Sequence, residues 1–162
     1  MEAPCPLITP TVEFSVALIE KTRLRMLKIT DGCSPEQLVR IPHGFHNNLL
    51  WNLGHVVVTL QILCYEKSSL PLSIPGYLLT PFRKGTSPAE WTGTLDVEEI
   101  KTWMLESVKT LREDLHKNAF HVYEPYETSA GIKLTCISEA LAFCAWHESQ
   151  HLGMMLSLKK LV

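Results

Sequence analysis

The sequence lacks the features that mark several large classes of protein. Its 15 lysines and arginines are scattered among 17 acidic residues and form no basic cluster, so we expect no nucleic-acid partner. The N-terminus has no basic start followed by an apolar stretch, and no run approaches the ~18 apolar residues of a membrane span. We therefore expect a cytoplasmic protein with no membrane partner.

Cysteine is present but in no recognisable framework. The five residues are an odd number and include no C-x-x-C pair, which in a reducing compartment predicts free thiols. They are Cys5, Cys33, Cys64, Cys136 and Cys144. No long segment alternates between apolar and polar residues, which argues against a large sheet. Ile132 to Thr135 can form a short extended piece.

Apolar residues at helical spacing dominate what is present. With 46% hydrophobic and 20% charged residues, positions 1–162 are expected to form one globular domain. The spacing predicts four long helices near 11–30, 48–65, 96–117 and 135–160. The first predicted helix has the least regular apolar stripe, which we expect to consist of Phe14, Ala17, Leu18, Leu24 and Leu27.

Two connections shape the predicted architecture. Ser34, Pro35 and Gln37 predict a short capped helical turn after the first helix. The segment from Glu66 to Leu95 contains four prolines, so it cannot be one regular element. Such a long connection crosses a domain or builds a site. We therefore predict an all-α four-helix bundle with a long crossover between its second and third helices.

Three histidines lie on the apolar seams of two predicted helices. His147 and His151 are four residues apart, which places them on one helix face, and His55 lies between Trp51 and Val58. Each buried imidazole has a polar nitrogen that needs a partner. Metal sites in bundles are built from inward-facing side chains of neighbouring helices. We predict that His55, His147 and His151 bind one divalent metal ion; the alternative is core histidines satisfied by hydrogen bonds.

The same residues match the H-E-x-x-H motif, in which Glu148 would act as the general base of a metalloprotease. The third ligand of such proteases lies downstream, whereas Leu152 to Val162 contain no His, Asp or Glu. The chain order therefore argues against this class. Glu148 can be a base, a partner of the metal site, or a residue that leaves the metal face altogether.

Further polar residues near the seam histidines have two interpretations each. Cys144, one turn before His147, is a fourth ligand or a small buried hydrophobe. Asn52 and Thr59, one turn before and after His55, are hydrogen-bond partners of the site or ordinary polar residues of a helix. The other histidines are expected to contact solvent or make local hydrogen bonds: His43, His46, His116 and His121.

At these residues the chain resembles the DinB-like family, from about Thr11 to the C-terminus. The resemblance is carried by Trp51-Asn-Leu-Gly-His55 and His147-Glu-Ser-Gln-His151-Leu-Gly153, and Pro81-Phe-Arg-Lys-Gly-Thr86 and Gly131 also fit. It implies a four-helix bundle in an up-down-down-up arrangement, often a homodimer. It also implies nickel, zinc or a similar ion on the three matching histidines.

The family includes transferases that use low-molecular-weight thiols such as bacillithiol, and mycothiol-dependent isomerases. The resemblance therefore implies a metal-dependent transferase that joins a low-molecular-weight thiol to a small electrophilic substrate. Three protein ligands leave a coordination position open, as in catalytic sites, although imidazole suits several metals. Two alternatives stay open: a hydrolase that uses a metal-bound water, and a dimeric module that binds metal without turnover. For a dimer, we expect Val56, Leu60 and Leu152 to be exposed apolar contacts.

Overall fold

The computed structural model describes residues 9–162, so the expectations for the N-terminal segment and Cys5 lie outside the described residues. The helices are α1 (Pro10–Thr30), α2 (Pro35–Val39), α3 (Leu49–Leu60), α4 (Leu79–Phe82), α5 (Val97–His116) and α6 (Ile137–Leu158). A π-helical turn at Gln61–Tyr65 and a 3-10 turn at Glu66–Ser68 continue α3, and further 3-10 turns lie at Gly76–Leu78 and Pro88–Glu90. The strands β1 (Tyr126–Glu127) and β2 (Lys133–Leu134) form an antiparallel ribbon.

Four of the described helices, α1, α2, α3 and α5, begin where a side chain accepts a hydrogen bond from a free backbone N–H group. Asn48 accepts from the backbone N–H of Trp51, and Asp96 accepts at the start of α5. The predicted capping box is present at α2, where Ser34 and Gln37 bond reciprocally. The four long helices are confirmed within two residues of their predicted bounds when the π-helical turn is counted with α3.

The four long helices form an up-down-down-up bundle in which α1 and α3 each pack against both α5 and α6. Arg112, near the end of α5, pairs with Glu13 and Glu20 in the first half of α1, so these two helices are antiparallel. The Tyr65 hydroxyl donates to Asp114 near the end of α5, which shows that α3 and α5 run the same way.

The parallel arrangement of α3 and α5 explains the long connection between them, because the chain must return along the bundle before α5 begins. This connection carries α4 and two of the 3-10 turns, and it covers α3 with fully buried side chains such as Phe82. Eleven of the twelve residues of α3 are consequently buried. The segment Leu49–Ser68 is long and apolar enough to cross a membrane, but 83% of its apolar 18-residue window is buried inside the protein, as in a core helix.

Two expectations about helix faces are wrong. In α1, Phe14 is 64% exposed and Leu18 and Leu24 are also exposed. The buried face is a different one, which carries Val12, Val16, Ile19, Arg23 and Met26. The three residues expected at a dimer interface are instead in the core: Val56, Leu60 and Leu152. The crossover and the neighbouring helices cover them within one chain.

Candidate metal centre

The structure brings the three seam histidines together between α3 and α6. One ring nitrogen of each histidine lies within 4.8 Å of those of the other two. The Nε2 atoms of His147 and His151 are 3.1 Å apart, and the ring of His55 is centred 4.8 Å from that of His151. The predicted convergence is therefore observed, while the binding of an ion stays a prediction.

Hydrogen bonds on the outer nitrogens orient two of the rings. His55 Nδ1 lies 2.8 Å from the carbonyl of Phe82, which can only accept, so Nδ1 carries the hydrogen. His151 Nδ1 lies 2.7 Å from Asn52 Oδ1. The Asn52 amide is oriented independently, because its Nδ2 donates to the carbonyl of Asn48. In both histidines the Nε2 lone pair consequently faces the shared centre.

A glycine allows the carbonyl of Phe82 to reach His55. A Cβ atom at Gly54 would lie 2.4–2.5 Å from ring carbons of Phe82, a separation that a fully buried ring cannot accommodate. Trp51 stacks on His55 with ring centroids 4.3 Å apart, and its indole N–H donates to Thr86. The segments 51–55 and 81–86 thus form one structural unit around His55.

Burial keeps the three imidazoles neutral. It lowers the pKa of His55. Burial and the nearby His55 lower the pKa of His147 to about 4. Burial, His147 and His55 together lower the pKa of His151 to about 3. At neutral pH the three rings therefore offer lone pairs without positive charge, which is the protonation state that a metal ion requires.

Hydrogen bonds alone satisfy this cluster incompletely. His147 Nε2 can donate to His151 Nε2, but His147 Nδ1 is buried and has no partner among residues 9–162. Acceptors hold Nδ1–H of His55 and His151, so an ion at the shared centre would take the Nε2 lone pairs that converge there, although it would not give His147 Nδ1 a partner. The donor set therefore fits a divalent cation with imidazole preference.

Glu148 faces away from the histidines. It is 1% exposed and accepts three hydrogen bonds from Arg23, the shortest 2.7 Å. Burial raises the pKa of Glu148, and the Arg23 guanidinium opposes that effect. Of the three roles left open, the structure supports only departure from the metal face. This excludes Glu148 as the base of a metalloprotease.

The remaining predicted residues separate into those that touch the site and those that do not. Asn52 holds His151, and the Thr59 hydroxyl lies 3.3 Å from His55 Nε2 on the inner side of the ring. Cys144 is buried in the core and lies outside the histidine group; its hydrogen bond to Cys64 and burial raise the pKa of its thiol. Within residues 9–162, none of the other histidines joins the group: His43, His46, His116 and His121.

A cavity of about 280 Å³ adjoins the histidines. His55 and His147 form part of its wall, and the ribbon before α6 contributes hydroxyl groups. Its other lining residues are Thr59, Ile62, Leu63, Lys84, Tyr126, Thr128, Ser129 and Phe143. The volume is near the lower end of the ~300–1,000 Å³ of small-molecule sites, so the cavity suits a small ligand.

Fold and site together define a helical-bundle protein with a three-histidine centre beside a small-molecule cavity. The family profile of the DinB superfamily matches residues 18–155. The chain belongs to the DinB superfamily, as its sequence motifs indicate. A comparison with curated proteins finds no match.

Proposed function

We propose that the protein is a metal-dependent transferase that joins a low-molecular-weight thiol to a small electrophilic substrate. The observation that carries the proposal is the geometry of three neutral histidines whose ring nitrogens converge beside a cavity. Three protein ligands leave room for a small molecule at the ion, which is typical of catalytic rather than structural sites. We propose nickel or zinc as the ion and the cytoplasm as the location.

The protein's own residues have separable tasks in this function. His55, His147 and His151 would hold the ion, which when bound lowers the pKa of a coordinated thiol or water. Asn52 and the Phe82 carbonyl keep two of the rings in place. Phe143 stacks beside His147 with ring planes 17° apart and forms part of the cavity wall.

One observation favours thiol transfer over hydrolysis. Hydrolysis usually needs a general base to activate and orient water, and the cavity lining contains no carboxylate. The nearest acid in sequence, Glu148, is held by Arg23. A thiol loses its proton more readily than water, so the ion alone can suffice.

Metal analysis tests the ligand set. The wild type should bind metal stoichiometrically, and His55→Ala, His147→Ala and His151→Ala should each abolish this. Asn52→Ala should weaken metal affinity by about 10–100-fold, because it frees the His151 ring. The control substitutions should leave metal content unchanged: His43→Ala, His46→Ala, His116→Ala and His121→Ala. A control that removes the metal while His55→Ala retains it would show that the assignment is wrong.

Activity measurements separate the three classes of function. Loss of an electrophile that requires both metal and added thiol supports the transferase. Ester or amide cleavage without thiol would instead support the hydrolase, and stoichiometric metal with neither activity would support the non-catalytic module. Each measurement is compared with His55→Ala protein prepared in the same way.

The homodimer is a separate proposal. Large apolar side chains are exposed on the outer faces of α1 and α6, including Phe14, Leu18, Trp146 and Leu156. Because α1 and α6 are adjacent, a second copy of the protein can cover exposed side chains of both helices. Sedimentation should show a species of twice the 18.3 kDa chain mass, and a monomer throughout the micromolar range would contradict the proposal.

A further inference from the structure

The charge around the cavity is one-sided. Among the ten described residues that line it, Lys84 is the only lysine or arginine, and there is no aspartate or glutamate. The other polar groups are the hydroxyls of threonine, serine and tyrosine side chains, and no carboxylate balances the lysine. The cavity wall therefore favours a negatively charged ligand.

Lys84 differs from the cations near it because its charge is unpaired. Arg83 lies 3.3 Å from Glu66, and Lys67 lies 3.1 Å from Glu124. Lys84 is exposed and makes no ion pair or side-chain hydrogen bond with any residue in 9–162. The chain thus neutralises one of two adjacent cations and leaves the other free at the cavity.

The segment that carries Lys84 is fixed to the histidine centre. It follows Phe82, whose carbonyl accepts from His55, and it turns through Gly85, where φ is +87°. The Thr86 hydroxyl bonds to the carbonyls of Pro81 and Arg83, which closes the turn. The backbone of Lys84 consequently has a defined position relative to the candidate metal centre.

We propose that the cavity binds a small organic carboxylate whose anionic group pairs with Lys84 and whose apolar part lies against Phe143, Ile62 and Leu63. The inference rests on the proposed function, in which the carboxylate belongs to the thiol or to its electrophilic partner. The ligand class is set by the unpaired lysine, the absence of acidic groups in the lining and the apolar wall.

Binding of a matched pair of probes tests the proposal without any activity assay. 3-Phenylpropionate and its neutral amide, 3-phenylpropanamide, share an apolar part and differ in charge. Ligand-observed NMR titrations are made with metal-free and with zinc-loaded protein. Wild-type protein should bind the carboxylate about fivefold more tightly than the amide, as expected for a solvent-accessible ion pair.

Variants of the two adjacent cations assign the preference to one residue. In metal-free protein, Lys84→Met should bring the two affinities together, and Lys84→Arg should restore the preference. Arg83→Met is the matched control, because it removes a neighbouring charge that is paired with Glu66, and it should keep the preference. Both substituted residues, Arg83 and Lys84, are exposed, so folding should be unaffected.

The outcomes separate this inference from the proposed function. Equal affinity of the two probes for wild type, no binding at millimolar concentration, or equal losses in Lys84→Met and Arg83→Met would each overturn it. If no ion binds but metal-free protein keeps a Lys84-dependent preference, the proposed function fails and the carboxylate site stands. If the three histidines bind zinc but the preference is missing, only the carboxylate site fails.

Discussion

His147 and Glu148 are adjacent in the sequence but belong to two different polar clusters on different faces of α6. Glu148 meets Arg23 among the packed helices, and His147 meets His55 and His151 beside a cavity. Both clusters join side chains from more than one helix. Their difference lies in how completely each set of polar atoms is satisfied.

The Arg23 cluster is closed. The Arg23 guanidinium donates to Glu148 through Nε and Nη2. Its Nη1 donates to the Met104 carbonyl and the Ser107 hydroxyl, and its Nη2 also donates to the Val56 carbonyl. All five N–H groups of the guanidinium are therefore used, and the residue connects all four long helices. Such a cluster has no capacity for a ligand, so we interpret it as structural.

The histidine cluster is open. One buried nitrogen, His147 Nδ1, has no partner among the described residues, and the cavity gives access to the same ring. The comparison shows that burial of polar residues does not by itself indicate function. What distinguishes a candidate site here is a set of converging imidazole lone pairs beside an accessible volume.

The largest expected effect is on the closed cluster. Arg23→Met should lower the free energy of unfolding by about 3–5 kcal/mol, because it leaves the buried Glu148 carboxylate without its partner. This is a large share of the ~5–15 kcal/mol typical of a domain. Urea denaturation monitored by circular dichroism measures it, with Lys84→Met as an exposed-site reference.

The double variant Arg23→Met/Glu148→Leu sharpens the comparison. Removing both charges should recover most of the lost stability, since an apolar pair of similar volume can replace a buried ion pair. The folded fraction should still bind metal, because neither residue contacts the histidine rings. If Arg23→Met costs less than about 1 kcal/mol, as surface substitutions do, the structural interpretation of this cluster is wrong.

The sequence predicts the histidine cluster better than the closed one, for a physical reason. Seam spacing places His55, His147 and His151 on inward faces, and the capping residues Ser34 and Gln37 mark the start of a helix. Arg23 escapes such a pattern, because an arginine is assigned to the surface unless its partner is known. That partner lies 125 residues away along the chain.

The helical spacing of apolar residues also cannot predict the contacts that depend on the irregular crossover. The carbonyl of Phe82 reaches His55 only because α4 packs against Gly54, and proline content predicts irregularity but not that docking. The exposed apolar residues of α1 show the same limit, because packing against α5 and α6 sets which face is buried. The local sequence pattern predicts where the helices lie, whereas tertiary packing determines which face of each helix is buried.

The smaller expected effect concerns the open cluster and depends on pH. Folding lowers the pKa of His147 to about 4 and that of His151 to about 3, chiefly through burial, against an ordinary value of 6.5. Below pH 6.5 the unfolded chain therefore binds protons that the metal-free folded protein cannot. The stability that the two neutral histidines contribute is complete above pH 6.5 and is lost as the pH falls toward 3–4.

Measurement of metal-free protein by urea denaturation between pH 7 and 4 tests this linkage. The slope should reach at most about 1.4 kcal/mol per pH unit for each histidine, and less in practice because the rings are partly accessible. His147→Gln/His151→Gln removes both groups and keeps hydrogen-bonding side chains, so its stability should fall less steeply, whatever its absolute value. The Arg23–Glu148 pair is common to both proteins and cancels in the difference. If the free energy of unfolding has the same pH dependence in both proteins, the histidines titrate in the folded state as they do in the unfolded chain. The cluster would then not be desolvated, which would contradict the prediction.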